Sequence, residues 1–595
     1  MTAARSRRTT RSTMQATMPL GDFLVAYLKR AGVSHIFAIP GDLALGLYHR
    51  FGAARGLEIV SFSHEPAVGF AADGYARSTR RLGVMCVTYG AGGNNVVNAV
   101  AGAYAEQVPV LVVSGGPSDA EQKIAKVHHQ VKDVEAQCRI FQEVTCRAEI
   151  VARPALAAEQ IHDLVSSVLS EMRPGYLEIH RDMVDVRIPV PKAIRNWDGS
   201  FPRKASDSRK LSEAVEETVA RIKRARRPIL IGGVELYRER AEGQLLKLAE
   251  KLAAPVVTTV LAKGVFPMDH PLHMGIHMGS FSHERIRKRV ASADLVLALG
   301  TQRTDLNLGS AEPTTSPKNA VWAVERRVEI SLHQYTDVDV GDFVSGLAAA
   351  RFPRSSSSQS AKSVVYCDNL KRPVKRAGRR AAADASISVN DLLVEVNDFL
   401  AGHADYHVVA ESGDMLFGGL ELQLRGGGLY LAQGYYASMG FAVPAAMGAQ
   451  IGTGLRPLVL CGDGGFQMTG PEISHAPGLG LSPIVVLVNN GGWGIFRPVT
   501  PRVELLEIPN WPYAELAKAW GGVGFQVASP RELREALRTA HEVAGFVLVE
   551  CRVAAGDLSP LGRRYIRASA RKARARHDSK GRPVRRAGSG SKSRA

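Results

Sequence analysis

Short apolar runs alternate with amphipathic stretches along most of the chain, and many of the runs end in glycine. Residues 20–31 carry apolar side chains at helical spacing and stop at Gly32. Residues 33–39, 57–62, 84–89 and 108–114 are brief apolar runs that predict buried strands. From Ala67, the small residues Gly69, Ala71, Ala72, Gly74 and Ala76 predict a tightly packed helix. The alternation resumes with a helical pattern over 207–226 and strands at 228–231, 256–261 and 295–299. It returns once more with a helix at 392–400 and strands near 408–410, 459–461 and 485–488. Strands separated by helices predict an α/β protein of parallel sheets flanked by helices.

A chain of 595 residues is long enough for several such units. The pattern divides into 19–190, 206–350 and 386–562. Between the last two, residues 351–385 carry Ser355-Ser356-Ser357-Ser358 and Lys371-Arg372-Pro373-Val374-Lys375-Arg376, the composition of an exposed linker.

Composition changes this picture little. The chain is 45% hydrophobic and 22% charged, normal for a globular protein, and has no apolar run of about 18 residues that would predict a membrane span. Six scattered cysteines without a CxxC pair argue against a zinc site and for a reducing compartment, so a cytoplasmic location is expected. The net charge of +18 lies almost wholly at the ends: residues 1–18 carry four Arg and no acid, and residues 563–595 carry thirteen Lys or Arg against Asp578. Both ends read as disordered basic tails, and no specific nucleic-acid partner is expected.

The chemistry concentrates in 459–496. Val459-Leu460-Cys461-Gly462-Asp463-Gly464-Gly465 and Val485-Val486-Leu487-Val488-Asn489-Asn490-Gly491-Gly492 are two apolar runs, each ending in a polar, glycine-rich turn. Adjacent parallel strands would bring both turns to one sheet edge, where open α/β sheets bind ligands. Asp463 and Asn490 offer hard oxygens suited to Mg²⁺ or Ca²⁺, and Gly464 and Gly465 leave backbone N–H groups open to phosphate. Read without context, the same pattern also fits an ordinary pair of strand-to-helix turns.

The stretch resembles the GDG…NN signature of thiamine diphosphate enzymes. A second segment, Ser63-His64-Glu65-Pro66-Ala67-Val68-Gly69-Phe70-Ala71-Ala72-Asp73-Gly74-Tyr75-Ala76-Arg77, is similar to the pyrimidine-binding domain of the same family. The resemblance implies a pyrimidine-binding domain, a central Rossmann-like domain and a diphosphate-binding domain. It also implies a Mg²⁺ held by the side chains of Asp463 and Asn490 and the Gly492 carbonyl, with Gly464, Gly465 and Asn490 meeting the cofactor. Glu65 would hydrogen-bond the aminopyrimidine ring, where a carboxyl group promotes the imino base that takes the thiazolium proton. Glu411-Ser412-Gly413 would meet the cofactor, and Met439 would be the apolar wedge beneath it.

Asp42 in Ile39-Pro40-Gly41-Asp42, together with the adjacent His128-His129, resembles the pyruvate/indolepyruvate decarboxylase group, where these residues handle protons near the cofactor. One departure stands out. Those enzymes place a Glu six residues after the second Asn, and this chain has Phe496. Phenylpyruvate-type decarboxylases look apolar there too. The resemblance thus implies decarboxylation of an aromatic or bulky 2-oxo acid to an aldehyde, in a homodimer or homotetramer whose sites lie between chains. Carboligation of the acetolactate synthase type, a benzoylformate decarboxylase-like activity and a non-catalytic thiamine diphosphate-binding protein are the alternatives.

Overall fold

A computed structural model describes residues 14–309, 319–352, 386–426 and 428–580, the last ten as backbone alone. The chain builds three α/β units, each around one large sheet. The first sheet has six strands in the order Glu58–Ser61, His35–Ala38, Gly83–Val87, Val110–Gly116, Gly175–His180, Arg147–Val151, all parallel. The third repeats the plan with Tyr430–Ala432, Tyr406–Ala410, Arg456–Gly462, Ile484–Asn489, Val547–Arg552, Val523–Val527. Their central strands are buried on both faces, which is why they read as continuous apolar runs.

The central unit departs from a purely parallel sheet. His273–Ile276, Val256–Thr258, Pro228–Gly232, Leu295–Leu299 and Ala320–Val324 are parallel, but Arg327–Ile330 and His333–Thr336 add an antiparallel meander at one edge. Glu325 and Arg326 both take positive φ, 48° and 58°, in the two-residue turn between the first pair of meander strands. Hairpins favour this backbone because it matches the strand twist, but it is normally signalled by Asn-Gly. The chain lacks that signal, so the hairpin was not legible.

Two expected boundaries move. Thr17–Pro19 pairs antiparallel with Arg187–Pro189, so the first unit begins inside the stretch read as a leader; residues 1–13 lie outside the described residues. At the other end, the stretch from 563 read as a disordered tail continues a helix, Pro560–Lys580. Its start is fixed by Asp414, whose carboxylate accepts the Ser559 N–H at 2.7 Å and the Ser559 hydroxyl at 2.8 Å. Residues 581–595, and most of the expected linker (353–385), lie outside the described residues.

The first and third units are welded together. Helix Glu65–Thr79 crosses helix Ala442–Thr453 so closely that a Cβ on Gly74 would lie 2.1 Å from the Ala445 carbonyl oxygen, and one on Gly448 1.9 Å from that of Ala71. Of the small residues that suggested a tight helix, Ala71 and Gly74 lie at this crossing, whereas Gly69 packs against Ala99 and Ala72 and Ala76 pack against Gly83. Beside it, buried Arg77 pairs with Asp73 and with Glu106, which also accepts the N–H groups of Tyr435 and Tyr436. A buried guanidinium is tolerable only when paired and hydrogen-bonded in this way.

Candidate active site

Strands Arg456–Gly462 and Ile484–Asn489 are parallel neighbours, so their carboxyl ends deliver Asp463 and Asn490 to the same edge. Asp463 is buried. One carboxylate oxygen accepts the Gly464 N–H at 2.9 Å; the other accepts those of Asn490, Gly491 and Gly492 at 3.2, 2.7 and 3.0 Å. Burial raises its pKa against these four donors. The side-chain Oδ1 of Asn490 is buried with no hydrogen-bond partner. Such an orphaned acceptor beside a carboxylate suits a hard cation. Gly492 is pinned by a bridge to Glu507, with φ of 151° and no room for a side chain: a Cβ would meet the Leu506 carbonyl oxygen at 1.9 Å.

These residues border a cavity of about 320 Å³ whose lining includes Ser412, Gly413, Met439, Asp463, Gly464, Gly465, Asn490 and Gly492. Glu411 does not line it. Its carboxylate turns inward and accepts the N–H groups of Ser412, Gly440 and Ala442 at 2.9, 3.1 and 3.0 Å; burial pushes its pKa up to about 7. Glu411 therefore shapes the loop that carries Met439. The sequence motif could not separate these roles, because the direction of the side chain depends on which N–H groups the fold brings to it.

The far wall of the cavity is apolar. Leu306, Phe417, Ile495 and Phe496 contribute to it, with Tyr565 and Ile566 from the carboxy-terminal helix. Tyr565 stacks on Phe417 at 4.6 Å and meets Phe281 edge-on at 4.9 Å. Phe496, the residue in place of the expected Glu, is part of this wall. Tyr565 and Ile566 were missed, because a run of basic residues hid two apolar side chains at adjacent positions.

The other predicted residues assemble on the carboxyl edge of the first sheet. His128 hydrogen-bonds Asp42, His129 Nε2 lies 3.9 Å from the same carboxylate, and the two imidazole rings are 4.6 Å apart. Burial opposes ionisation of Asp42, but the hydrogen bonds from His128 and the Leu43 N–H, with the nearby imidazoles, hold its pKa below the usual value. Glu65 opens its helix, and its carboxylate accepts the Asn95 amide at 2.8 Å.

The glycine-rich turn after strand Gly83–Val87 packs between these groups. A Cβ on Gly90 would lie 2.1 Å from the His129 carbonyl oxygen, and one on Gly92 3.4 Å from the Glu65 carboxylate. Gln137 fixes the turn by accepting the Gly90 N–H at 2.6 Å. Asn95 and Gln137 were not singled out in the sequence; only the density of glycine marked this turn. Neither Glu65 nor the Asp42–His128–His129 trio lines the Asp463 cavity of the same chain.

Two half-sites, one with a buried carboxylate and an orphaned amide oxygen at glycine-rich turns and one presenting acids and imidazoles, are the arrangement of a cofactor-dependent α/β enzyme. Family comparisons agree. The sequence matches "Thiamine pyrophosphate enzyme, N-terminal TPP binding domain" over residues 18–138, the central domain over 215–345 and the C-terminal TPP binding domain over 415–551. It is 34% identical over 559 residues to an indole-3-pyruvate decarboxylase from Azospirillum brasilense, covering 93% of this chain and 99% of the relative. It is 30% identical to pyruvate decarboxylase 1 of Oryza sativa subsp. indica, covering 89% and 87%, and 32% identical to pyruvate decarboxylase 2 of subsp. japonica, covering 84% and 82%. The chain belongs to the thiamine diphosphate-dependent 2-oxo acid decarboxylase family. Thiamine diphosphate is its cofactor, and no helix among the described residues is long and apolar enough to cross a membrane.

Proposed function

We propose that this enzyme converts an arylpyruvate, phenylpyruvate or indolepyruvate, to the corresponding aldehyde and CO₂, with Mg²⁺ as its metal. The observation that carries the reading is the apolar wall of Phe496, Ile495, Phe417 and Tyr565 facing the Asp463 turn, where a carboxylate was expected at position 496. A planar aromatic side chain buries well against such a wall.

In this reading, Asp463, Asn490 and the Gly492 carbonyl hold the Mg²⁺, and Gly464 and Gly465 let the diphosphate approach the backbone. The bound cofactor supplies the electron sink for loss of CO₂. Glu65 shares a proton with the cofactor's pyrimidine ring, held in place by Asn95. His128 and His129, oriented by Asp42, carry the proton that replaces CO₂. Because Glu65 and the histidines lie outside the cavity of their own chain, they serve the cofactor of a second copy, so a homodimer is the smallest working unit. The five described cysteines are free thiols, which suits a cytoplasmic location.

Incubating the purified protein with thiamine diphosphate, Mg²⁺ and phenylpyruvate should yield phenylacetaldehyde. Glu65→Gln should lower kcat by about 10²-fold or more while retaining cofactor. No aldehyde from any arylpyruvate, or acetolactate from pyruvate as the main product, would refute the proposal.

A further inference from the structure

Glu65 is held from behind by the third unit of its own chain. The Ser63 N–H donates to the Glu472 carboxylate at 2.8 Å, and the Ser63 hydroxyl hydrogen-bonds His475 Nε2 at 2.8 Å. Glu472 and His475 lie 3.5 Å apart, and the His475 ring meets buried Phe62 edge-on at 5.7 Å. Glu472 is itself buried, and Ile473 joins the same apolar cluster as Phe62. Ser63 is two residues before Glu65, and His64 between them is the extended residue that precedes the helix. These two side chains therefore fix the backbone from which the acid projects.

Glu472 and His475 are not on an isolated loop. Helix Asp463–Thr469 opens at the proposed metal ligand and runs directly into the 3₁₀ segment Gly470–His475. Asp463 and Glu472 stand on two short helical segments joined at Thr469, whose φ of −141° breaks the helix between them. Thus Asp463, at one end, faces the cofactor cavity of its own chain, while the other end grips the turn of Glu65. Resting on the reading above, in which Glu65 serves the partner's cofactor, the two segments together lie between two active sites.

We infer that Glu472 and His475 are positioning residues for Glu65, set at the far end of the two joined segments that open at Asp463. Neither side chain lines the cavity, so neither touches substrate within its own chain. Their effect is on where the Glu65 carboxyl sits, and misplacement of a reacting group by about 1 Å can cost about 10²-fold in rate. The Ser63 N–H needs an acceptor there but not a charge.

The test uses the full-length enzyme and the variants Glu472→Ala, Glu472→Gln and His475→Ala. Glu472→Ala should lower kcat by about tenfold or more with KM for phenylpyruvate within about twofold of wild type. Glu472→Gln, which keeps the acceptor, should recover kcat to within about threefold, and His475→Ala should fall between. In the cofactor-free protein, amide exchange over residues 60–70 should quicken in Glu472→Ala and remain near wild type in Glu472→Gln. Unchanged kcat and exchange in Glu472→Ala would overturn the proposal, as would a Glu472→Gln variant as impaired as the alanine. Should Glu472→Ala not fold, Glu472→Asp carries the same test, with a fall in kcat at constant KM supporting the inference and an unchanged kcat opposing it. A wild-type enzyme without arylpyruvate decarboxylase activity would instead refute the functional reading.

Discussion

Asp463 accepts the backbone N–H of Asn490 at 3.2 Å, while the side-chain Oδ1 of that same asparagine stays buried without a donor. A buried acceptor left unmade costs about 1–3 kcal/mol. The cost is understandable if the oxygen is kept for a cation. Asn490→Leu removes the orphan at nearly constant shape. The cofactor-free variant should therefore melt at or above the wild-type temperature, and it should lose the stabilisation that thiamine diphosphate and Mg²⁺ give the wild type. Thermal melts with and without both additives check this. An Asn490→Leu protein that still gains stability from them would remove Asn490 from the site.

The apolar wall makes a prediction about selectivity. Phe496→Ala deletes an aromatic surface beside the Asp463 turn, and Tyr565→Ala deletes the ring stacked on Phe417. Each loss of aryl contact is worth on the order of 1.5 kcal/mol, or about tenfold in rate. The ratio of kcat/KM for phenylpyruvate to that for pyruvate should fall by about this factor in each variant. A ratio within twofold of wild type would place the aryl group elsewhere.

These residues also mark the limit of what the sequence revealed. Buried parallel strands such as Val110–Gly116 and Ile484–Asn489 were legible because burial on both faces demands continuous apolar side chains. The convergence of Asp463 and Asn490 was legible because the ends of adjacent parallel strands meet at one sheet edge. Glu411 was read as a cofactor contact, yet the fold offers it backbone N–H groups of Ser412, Gly440 and Ala442, and the side chain turns to them. The helix from Arg563 onward was read as disorder because its composition is basic; it is held by contacts of Tyr565 with Phe281 and Phe417, which are far away in sequence. Local pattern shows what a segment can form, and tertiary partners decide where it goes.

The crossing of the Glu65 and Ala442 helices is sterically exact at two glycines. Gly74→Ala would place a methyl 2.1 Å from the Ala445 carbonyl, which is backbone and cannot rotate away. Overpacking of this kind costs about 3 kcal/mol, so the variant should melt several degrees lower. Gly243→Ala, in helix Glu242–Leu252 where a Cβ meets nothing within 4 Å, serves as the control and should be neutral or slightly stabilising. Equal melting temperatures for the two variants would mean that the helices do not approach this closely.

Behind the Asp42–His128–His129 trio lies a titrating acid. Burial pushes the Glu178 pKa up to about 7, with nearby Glu135 also raising it, while a hydrogen bond from the Tyr176 hydroxyl opposes the shift. Tyr176 in turn receives the Gln137 amide at 2.6 Å, and Gln137 holds Gly90 against His129. The folded state therefore holds the Glu178 proton more tightly than the unfolded chain, whose carboxyl titrates near 4.5. The stabilisation tied to this proton is fully present below about pH 4.5 and is lost as pH rises through about 7, with a ceiling of about 3 kcal/mol. Glu178→Gln keeps an acceptor for the Tyr176 hydroxyl and cannot ionise. Relative to wild type, its melting temperature should rise more at pH 8 than at pH 5. A difference that is the same at both values would show that Glu178 is already ionised throughout this range.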